Sequence, residues 1–289
     1  MKTVALEFVP PSAEAGLPRL LEEAEHVATL LRRTGIDRRV NALLVPGMIA
    51  EDSDRPVPLE EKMDPLEVCR AVRSVLPLEP IVTQVTAFSS FEALGERLRS
   101  LRQHGVSRVV FVGVPRTLAD GQGPGLAPTD AIESFQDVVP HRGVILIPTR
   151  HDEKLRFEAK LRAGANFALS QLLCSDAITR LLPAIELSGP RPEILLSFGY
   201  VPRVEERVGL IQWLIRDHTP AAQAEMEWVA RVAPLSFAEK KRALVDVYER
   251  VIEGVQEGGF PIRLHFECPY GFNEYAFETF QTMLDVWSP

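Results

Sequence analysis

Short apolar runs alternate with amphipathic segments along the whole chain. Eight of the runs are typical of buried β-strands, because they are short and apolar at successive positions. The predicted strands are Val4–Val9, Val40–Val45, Pro80–Val85, Arg108–Val112, Val144–Ile147, Asn166–Gln171, Glu193–Phe198 and Ile262–Phe266.

Between the predicted strands, apolar residues recur every three or four positions, which is the spacing of one face of an α-helix. The clearest examples are Leu20, Ala24, Val27 and Leu31, and then Phe91, Leu94, Leu98 and Leu101. Strands that are apolar on both faces and are each followed by a helix predict a parallel sheet. Eight such units in 289 residues predict an α/β protein with one domain, a (β/α)8 TIM barrel over residues 1–289.

Two features of the chain bear on this prediction. The alternative is an open doubly wound sheet, but its usual Gly-x-Gly-x-x-Gly is missing after the first strand, where EFVPPS (7–12) stands. The stretch from Val204 to Glu257 is too long for one helix, and Pro220 and Pro234 divide it into two or three. We expect an extended helical connection before the eighth strand, not a second domain.

Charge and cysteine usage narrow the class of protein. There are 40 acidic and 32 basic residues, a net charge of -8 and no basic cluster, which argues against nucleic-acid and anionic-membrane partners. Three widely spaced cysteines without a Cys-x-x-Cys pair favour a reduced, cytoplasmic compartment. The sequence shows no signal peptide and no apolar stretch of 18 residues, and its histidines lack the spacing of metal ligands. It implies no protein partner, so the protein is compatible with a monomer.

In a barrel of this class the active site lies at the C-terminal ends of the strands. Glu7 is the most unusual polar residue there, because an acid inside VALEFV (4–9) must face the barrel interior or be paired. It is either a structural carboxylate, or a proton donor with a raised pKa or a counter-charge to a cation. Gln171 is either a structural hydrogen-bonding residue or a ligand contact.

Further strand-end residues are candidates by position. Gln84 and Thr86 are predicted to contact substrate, and Phe198 and Tyr200 either stack on a ligand ring or pack in the core. Arg116 and Arg150 are predicted to meet a carboxylate or phosphate, with solvation at the surface as the alternative. Arg116 lies in a glycine-rich loop, VGVPRTLADGQGPG (112–125), which resembles a phosphate-binding loop.

Two motifs resemble those of the methylenetetrahydrofolate reductase family. ALEFVPPS (5–12) resembles the Phe-Glu-Phe-x-Pro-Pro first strand of that family, and KLRAGANFALSQLLCSD (160–176) resembles its sixth strand. The resemblance implies a (β/α)8 barrel that reduces 5,10-methylenetetrahydrofolate to 5-methyltetrahydrofolate. It places Glu7 at the family's catalytic glutamate and Gln171 at its pterin-contacting glutamine. Glu267 has no family match and is predicted to contact substrate or a ribose.

The chain departs from the flavoproteins of this family at the fourth strand. Their strand ends in Arg-Gly-Asp, whose two charged residues lie in the flavin site, whereas Val112-Gly113-Val114 stands here. Lys160 matches a lysine associated with flavin phosphate, and His151 matches a flavin-pocket histidine. The pattern resembles the short bacterial branch whose members work without bound flavin, so NADH is the expected hydride donor and FAD is expected to be absent.

Three other functions remain open from the sequence. One is an FAD-dependent methylenetetrahydrofolate reductase, and another is a barrel that binds folate without catalysis. An unrelated barrel such as a phosphate-handling aldolase would need a Schiff-base lysine or a metal cluster at the strand ends, and neither is found.

Overall fold

A computed structural model of the chain describes residues 2–48, 56–57, 62–113, 125–187, 189–268 and 271–287. Within these ranges eight parallel strands form a closed barrel in the order in which they occur along the chain. The strands are β1 (Val4–Glu7), β2 (Ala42–Val45), β3 (Glu79–Val85), β4 (Arg108–Val112), β5 (His141–Leu146), β6 (Phe167–Ser170), β7 (Glu193–Gly199) and β8 (Ile262–Glu267). The predicted (β/α)8 TIM barrel is therefore confirmed.

Helices surround the barrel and connect its strands. In the described part of the chain they are α1 (Gly16–Arg33), α2 (Pro65–Val72), α3 (Phe91–Gln103), α4 (Pro128–Ser134), α5 (Glu153–Arg162), α6 (Ala177–Ala184), α7 (Glu205–Ile215), α8 (Pro220–Val232), α9 (Phe237–Val255) and α10 (Glu274–Val286). Three helices, α7, α8 and α9, lie between β7 and β8. The extended helical connection predicted from the two prolines is therefore confirmed, and Pro220 begins α8.

The helices begin where the sequence supplies caps. Asp64 accepts hydrogen bonds from two main-chain amides at the start of α2, and Ser90 accepts one at the start of α3. Ser236 and Glu239 form a reciprocal capping box at the start of α9. At the other end of α1, Gly35 has a φ of 70°, a conformation that glycine adopts without strain.

Two strands have limits that differ from the predicted ones. β5 begins at His141, three residues before the predicted start, because His141 pairs with Arg108 of β4. β1 ends at Glu7, two residues before the predicted end, and Pro10 and Pro11 follow shortly after it. Proline has no amide hydrogen to continue the ladder.

Alternate residues of each strand point to opposite sides of the barrel wall. The residues directed outward pack against the helices in a large core that includes Leu6, Phe111, Phe198 and Phe266. The residues directed inward form a separate core that includes Ala5, Leu44, Ile81 and Leu195. This alternation decides which polar side chains reach the interior.

The N-terminal end of the barrel is filled. Arg108, from β4, and Arg263, from β8, both form ion pairs with Glu193 of β7, and the Arg263 pair is 2.6 Å long. The Arg108 guanidinium lies 4.7 Å from the centre of the Phe167 ring. A Cβ atom on Gly143 would lie 2.3 Å from that ring, so β5 requires glycine there. Space for a ligand is left at the C-terminal end.

No helix in the described ranges is long and apolar enough to cross a membrane. Among the same residues, no group of three or more His, Cys, Asp or Glu side chains is arranged to hold a metal ion.

Candidate active site

A cavity of about 210 Å3 opens at the C-terminal end of the barrel. The inward alternation of β1, β6 and β8 brings Glu7, Gln171 and Glu267 to the same space. The described residues that line it are Glu7, Val9, Leu44, Pro46, Met48, Thr83, Ile145, Leu169, Ser170, Gln171, Leu210, Leu214, His265 and Glu267. No lysine or arginine is among them, so the described wall is apolar with an acidic side.

Helix α7 covers this cavity. Its residues Leu210 and Leu214 form part of the wall, and the Gln171 side-chain amide donates a hydrogen bond to the Leu214 main-chain oxygen at 3.3 Å. The segment after α7 is anchored to the barrel because the Thr219 hydroxyl donates to the Thr149 carbonyl at 2.6 Å. The long connection before β8 therefore lies over part of the mouth of the barrel.

Glu7 is the last residue of β1, where it pairs with Leu44 of β2. Burial in the apolar barrel raises the pKa of its carboxyl well above the usual range, and the charge of Glu267 raises this pKa further. Neither effect is opposed by a basic side chain in the described wall of the cavity. A raised pKa is what a carboxyl needs in order to act as a general acid.

Glu267 lies beside Glu7 on the neighbouring strand. The parallel pairing of β1 with β8 aligns Leu6 with Phe266, which places the next residues, Glu7 and Glu267, side by side. Burial raises the pKa of Glu267 to about 7. The site therefore holds two neighbouring carboxyl groups whose pKa values are both raised.

His265 lies one inward position before Glu267 on β8 and is fully buried. Its Nδ1 is 2.9 Å from the Ser197 hydroxyl oxygen, and that hydroxyl donates to the Ser170 carbonyl at 2.8 Å. Since the hydroxyl hydrogen is engaged there, His265 donates from Nδ1, and its Nε2 has no hydrogen-bond partner in the described structure. Burial lowers the pKa of His265 to about 3, so the imidazole is neutral.

Four predicted substrate contacts do not line this cavity. The Gln84 amide accepts from Arg97 of α3 at 3.4 Å, and the Thr86 hydroxyl donates to the Leu126 carbonyl at 2.7 Å. Phe198 faces outward and meets the Tyr248 ring edge to face at 5.0 Å. The ring of Tyr200 lies 5.4 Å from the ammonium group of Lys240. Their roles as substrate contacts stay predictions, and the structure brings none of them to Glu7.

The predicted cofactor contacts also lie outside the described lining of this cavity. Lys160 donates to the Ile145 carbonyl at 2.6 Å and lies 3.4 Å from the buried Glu153 carboxylate. Arg150 lies 3.6 Å from the same carboxylate. His151 is 83% exposed and pairs with Asp152 at 2.7 Å. Arg116 lies outside the described residues, as does most of its glycine-rich loop.

Sequence reasoning missed the contributions of Thr83, Leu210 and Leu214. The period of two along β3 could have identified Thr83, because it points to the same side as Ile81 of the inner core. Nothing in the pattern of α7 indicates that Leu210 and Leu214 face a cavity, since they are ordinary apolar positions of a helix.

Two comparisons concern the sequence of the chain. A family model described as mycobacterial methylenetetrahydrofolate reductase matches residues 1–289. A search of curated protein sequences finds no match to the chain.

Solved structures share the fold at low sequence identity. An uncharacterized protein from Clostridium thermocellum, described as binding two copies of 5-methyl-5,6,7,8-tetrahydrofolic acid, has a TM-score of 0.65 and 16% identity, over 98% of this chain and 93% of that one. EDTA monooxygenase from Chelativorans sp. BNC1 has a TM-score of 0.54 and 15% identity, over 98% and 93%. Riboflavin lyase, solved with modified FMN and riboflavin, has a TM-score of 0.51 and 11% identity, over 92% and 87%. At these identities the likeness concerns the fold alone.

Proposed function

Because the chain belongs to the family of mycobacterial methylenetetrahydrofolate reductases, we propose that it reduces 5,10-methylenetetrahydrofolate to 5-methyltetrahydrofolate, with NADH as the direct hydride donor. The observation that carries the proposal is the position of Glu7, a buried carboxyl with a raised pKa in the cavity at the mouth of the barrel. Gln171 lines the same cavity. The product of this reaction is also the folate that the Clostridium thermocellum protein binds.

The chemistry of ring opening explains the need for an acid. One carbon–nitrogen bond of the imidazolidine ring must break, and its electron pair must stay on the departing nitrogen. The Glu7 carboxyl gives its proton to that nitrogen, which leaves a 5-iminium cation. Glu7 is then a carboxylate beside this cation and stabilises it. Hydride addition to the exocyclic carbon completes the methyl group.

Gln171 supplies an amide that both donates and accepts, which suits the edge of a pterin ring. In the structure its NH2 group is engaged with the Leu214 carbonyl of α7. A pterin that enters the cavity takes the place of the Leu214 carbonyl and forms a hydrogen bond with the Gln171 amide. Leu44, Ile145 and Leu169 provide apolar surface for the ring.

We propose that hydride passes directly from NADH, because the described residues do not fit the flavin site of the wider family. Val112 packs against the inner core, where those flavoproteins carry a charged residue. The Lys160 ammonium group, which would meet a flavin phosphate, is engaged by the Ile145 carbonyl and by Glu153. His151 is exposed and bonded to Asp152. These contacts support a reductase without bound flavin.

The test combines a spectrum with an assay. The purified protein should show no flavin absorbance, and it should oxidise NADH only when methylenetetrahydrofolate is present, with 5-methyltetrahydrofolate as product. A yellow protein whose activity follows its FAD content would establish the flavin-dependent alternative. Folate binding without turnover, with NADH and with added FAD, would establish a non-catalytic barrel.

A further inference from the structure

The inference concerns the second carboxyl of the cavity, Glu267. It lies beside Glu7 because β1 and β8 pair in parallel, with Leu6 opposite Phe266. Both carboxyl groups line the same cavity of about 210 Å3. Two like charges at adjacent positions in a space of low polarity disfavour simultaneous ionisation. A proton is therefore shared between Glu7 and Glu267 unless a cation compensates them.

None of the described residues around the pair supplies that cation. His265 is the nearest basic side chain, with Nδ1 3.6 Å from the Glu267 carboxylate. Its Nδ1 hydrogen is directed to the Ser197 hydroxyl, and burial holds the pKa of the ring at about 3. The imidazole is therefore a neutral neighbour that supplies no compensating charge.

The other groups that face the pair are also uncharged. Burial raises the pKa of the Cys268 thiol well above its ordinary value, and the charges of Glu7 and Glu267 raise it further. Burial raises the pKa of the Cys174 thiol as well. From β2 and α7, the described lining consists of Leu44, Pro46, Leu210 and Leu214. Ionisation of either carboxyl group therefore raises the pKa of the other.

We propose that Glu267 is a positioning residue for the reductase reaction, which acts through Glu7 by keeping the Glu7 carboxyl protonated until the folate ring opens. This rests on the proposed function. In the reactive state Glu7 holds the proton and Glu267 carries the negative charge. When the ring opens, the proton moves from Glu7 to the departing nitrogen, which keeps the electron pair of the broken bond. After release of the product, the pair regains one proton from solvent.

The experiment measures kcat/KM for methylenetetrahydrofolate against pH, at saturating NADH, for the parent enzyme and Glu267→Gln. Activity requires protonated Glu7, so it falls as the pH rises through the pKa of that group. Removal of the neighbouring negative charge lowers this pKa. The alkaline limb of Glu267→Gln is expected to move to lower pH by about one unit, a tenfold loss at a pH above the limb. Glu267→Asp keeps the negative charge, so its alkaline limb should lie close to that of the parent enzyme.

Glu225→Gln is the matched control, because Glu225 is a buried carboxyl on α8 that does not line the cavity. Its alkaline limb should coincide with that of the parent. A Glu267→Gln enzyme with an unchanged limb and a uniformly lower rate would overturn the proposal, since a merely structural role or a substrate contact predicts that result. Thermal melting of each variant identifies loss of folding, and Glu267→Ala, which also removes the charge, replaces Glu267→Gln in the same comparison if the latter does not fold.

An infrared titration separates this proposal from the proposed function. The protonated carboxyl band that disappears in Glu7→Gln should titrate at lower pH in Glu267→Gln than in the parent protein. If the parent enzyme does not turn over the folate with NADH, the proposed function fails. The infrared titration still tests whether Glu267 keeps Glu7 protonated. If the Glu7 band titrates at the same pH in Glu267→Gln as in the parent protein, that role is overturned.

Discussion

The side-chain amide of Gln171, at the end of β6, donates a hydrogen bond to the main-chain oxygen of Leu214, near the end of α7, at 3.3 Å. The contact joins a predicted pterin-binding group to the helix that covers the cavity. The cavity volume is about 210 Å3, whereas pockets for ligands of drug size range from about 300 to 1,000 Å3. We therefore expect that α7 must move before a folate can bind, because Leu210 and Leu214 form one wall of this space.

This requirement predicts the kinetics of folate binding. The observed rate should reach a plateau as the folate concentration rises, because opening of α7 becomes limiting. Leu210→Ala should raise the plateau about tenfold, which corresponds to about 1.4 kcal/mol of lost packing between α7 and the barrel. Stopped-flow fluorescence measures both rates. A rate that rises linearly with folate, without a plateau, contradicts the prediction, and the exposed Leu155→Ala is the control.

Glu7→Gln should retain the fold and lower kcat/KM at pH 7 by about 100-fold or more, the range expected for loss of a general acid. The amide keeps the shape of the carboxyl but cannot donate its proton. Steady-state NADH oxidation measures the loss, and circular dichroism and thermal melting verify the fold. Turnover close to that of the parent would remove Glu7 from the reaction.

Gln171→Ala should raise KM for the folate about tenfold, equivalent to about one hydrogen bond to the pterin, with a smaller change in kcat. Gln84→Ala is the informative comparison. The Gln84 amide contacts Arg97 of α3 outside the barrel interior, so a much smaller effect is expected. Equal effects of the two substitutions on KM would favour the assignment of Gln84 as a substrate contact.

The buried carboxyl of Glu225 should make stability depend on pH. It accepts a hydrogen bond from Ser175 at 2.5 Å, and burial raises its pKa from 4.5 to about 7. Between these values the folded state binds the proton more tightly than the unfolded state does. The free energy of unfolding therefore falls as pH rises from about 4.5 to about 7.

Glu225→Gln removes this dependence. The stability of the variant relative to the parent should increase by about 3 kcal/mol between pH 4 and pH 8, as the size of the shift implies. Urea denaturation across this range provides the measurement. Glu227→Gln, an exposed carboxyl on the same helix, is the control. An equal pH dependence in parent and Glu225→Gln would contradict the assignment of burial as the cause.

Gly143→Ala should destabilise the barrel by about 1 to 3 kcal/mol, because a Cβ atom at this position would lie 2.3 Å from the Phe167 ring. The additional substitution Phe167→Leu should recover part of the loss. Gly189→Ala, where a Cβ atom would meet nothing within 4 Å, is the matched control. Thermal unfolding measures all three, and a Gly143→Ala protein as stable as the control would refute the overlap.

Much of the architecture could be predicted because it depends on local patterns. Eight apolar runs separated by helices predicted the closed barrel, and Pro220 and Pro234 predicted the division of the long connection. The strand limits were less predictable. His141 belongs to β5 because Arg108 of β4 pairs with it, a contact that a single strand does not encode.

The site was predictable only in part, for a physical reason. In a parallel barrel both faces of a strand are apolar, so a continuous run such as that of β3 gives no contrast between inward and outward positions. Gln84 and Thr86 were selected from the end of that strand, yet it is Thr83 that lines the cavity. Glu7 was recognisable because an acid interrupts an otherwise apolar run.

The sequence by itself determined the barrel, its long helical connection and the presence of an acid in the first strand, because each depends on a pattern of residues that are close together in the chain. Only the tertiary structure decided that Glu267 lies beside Glu7, that α7 lines the same cavity, and that Lys160 is engaged by Ile145 and Glu153. These contacts join residues that are distant in the chain. Strand register and helix packing bring them together, and no local pattern specifies either.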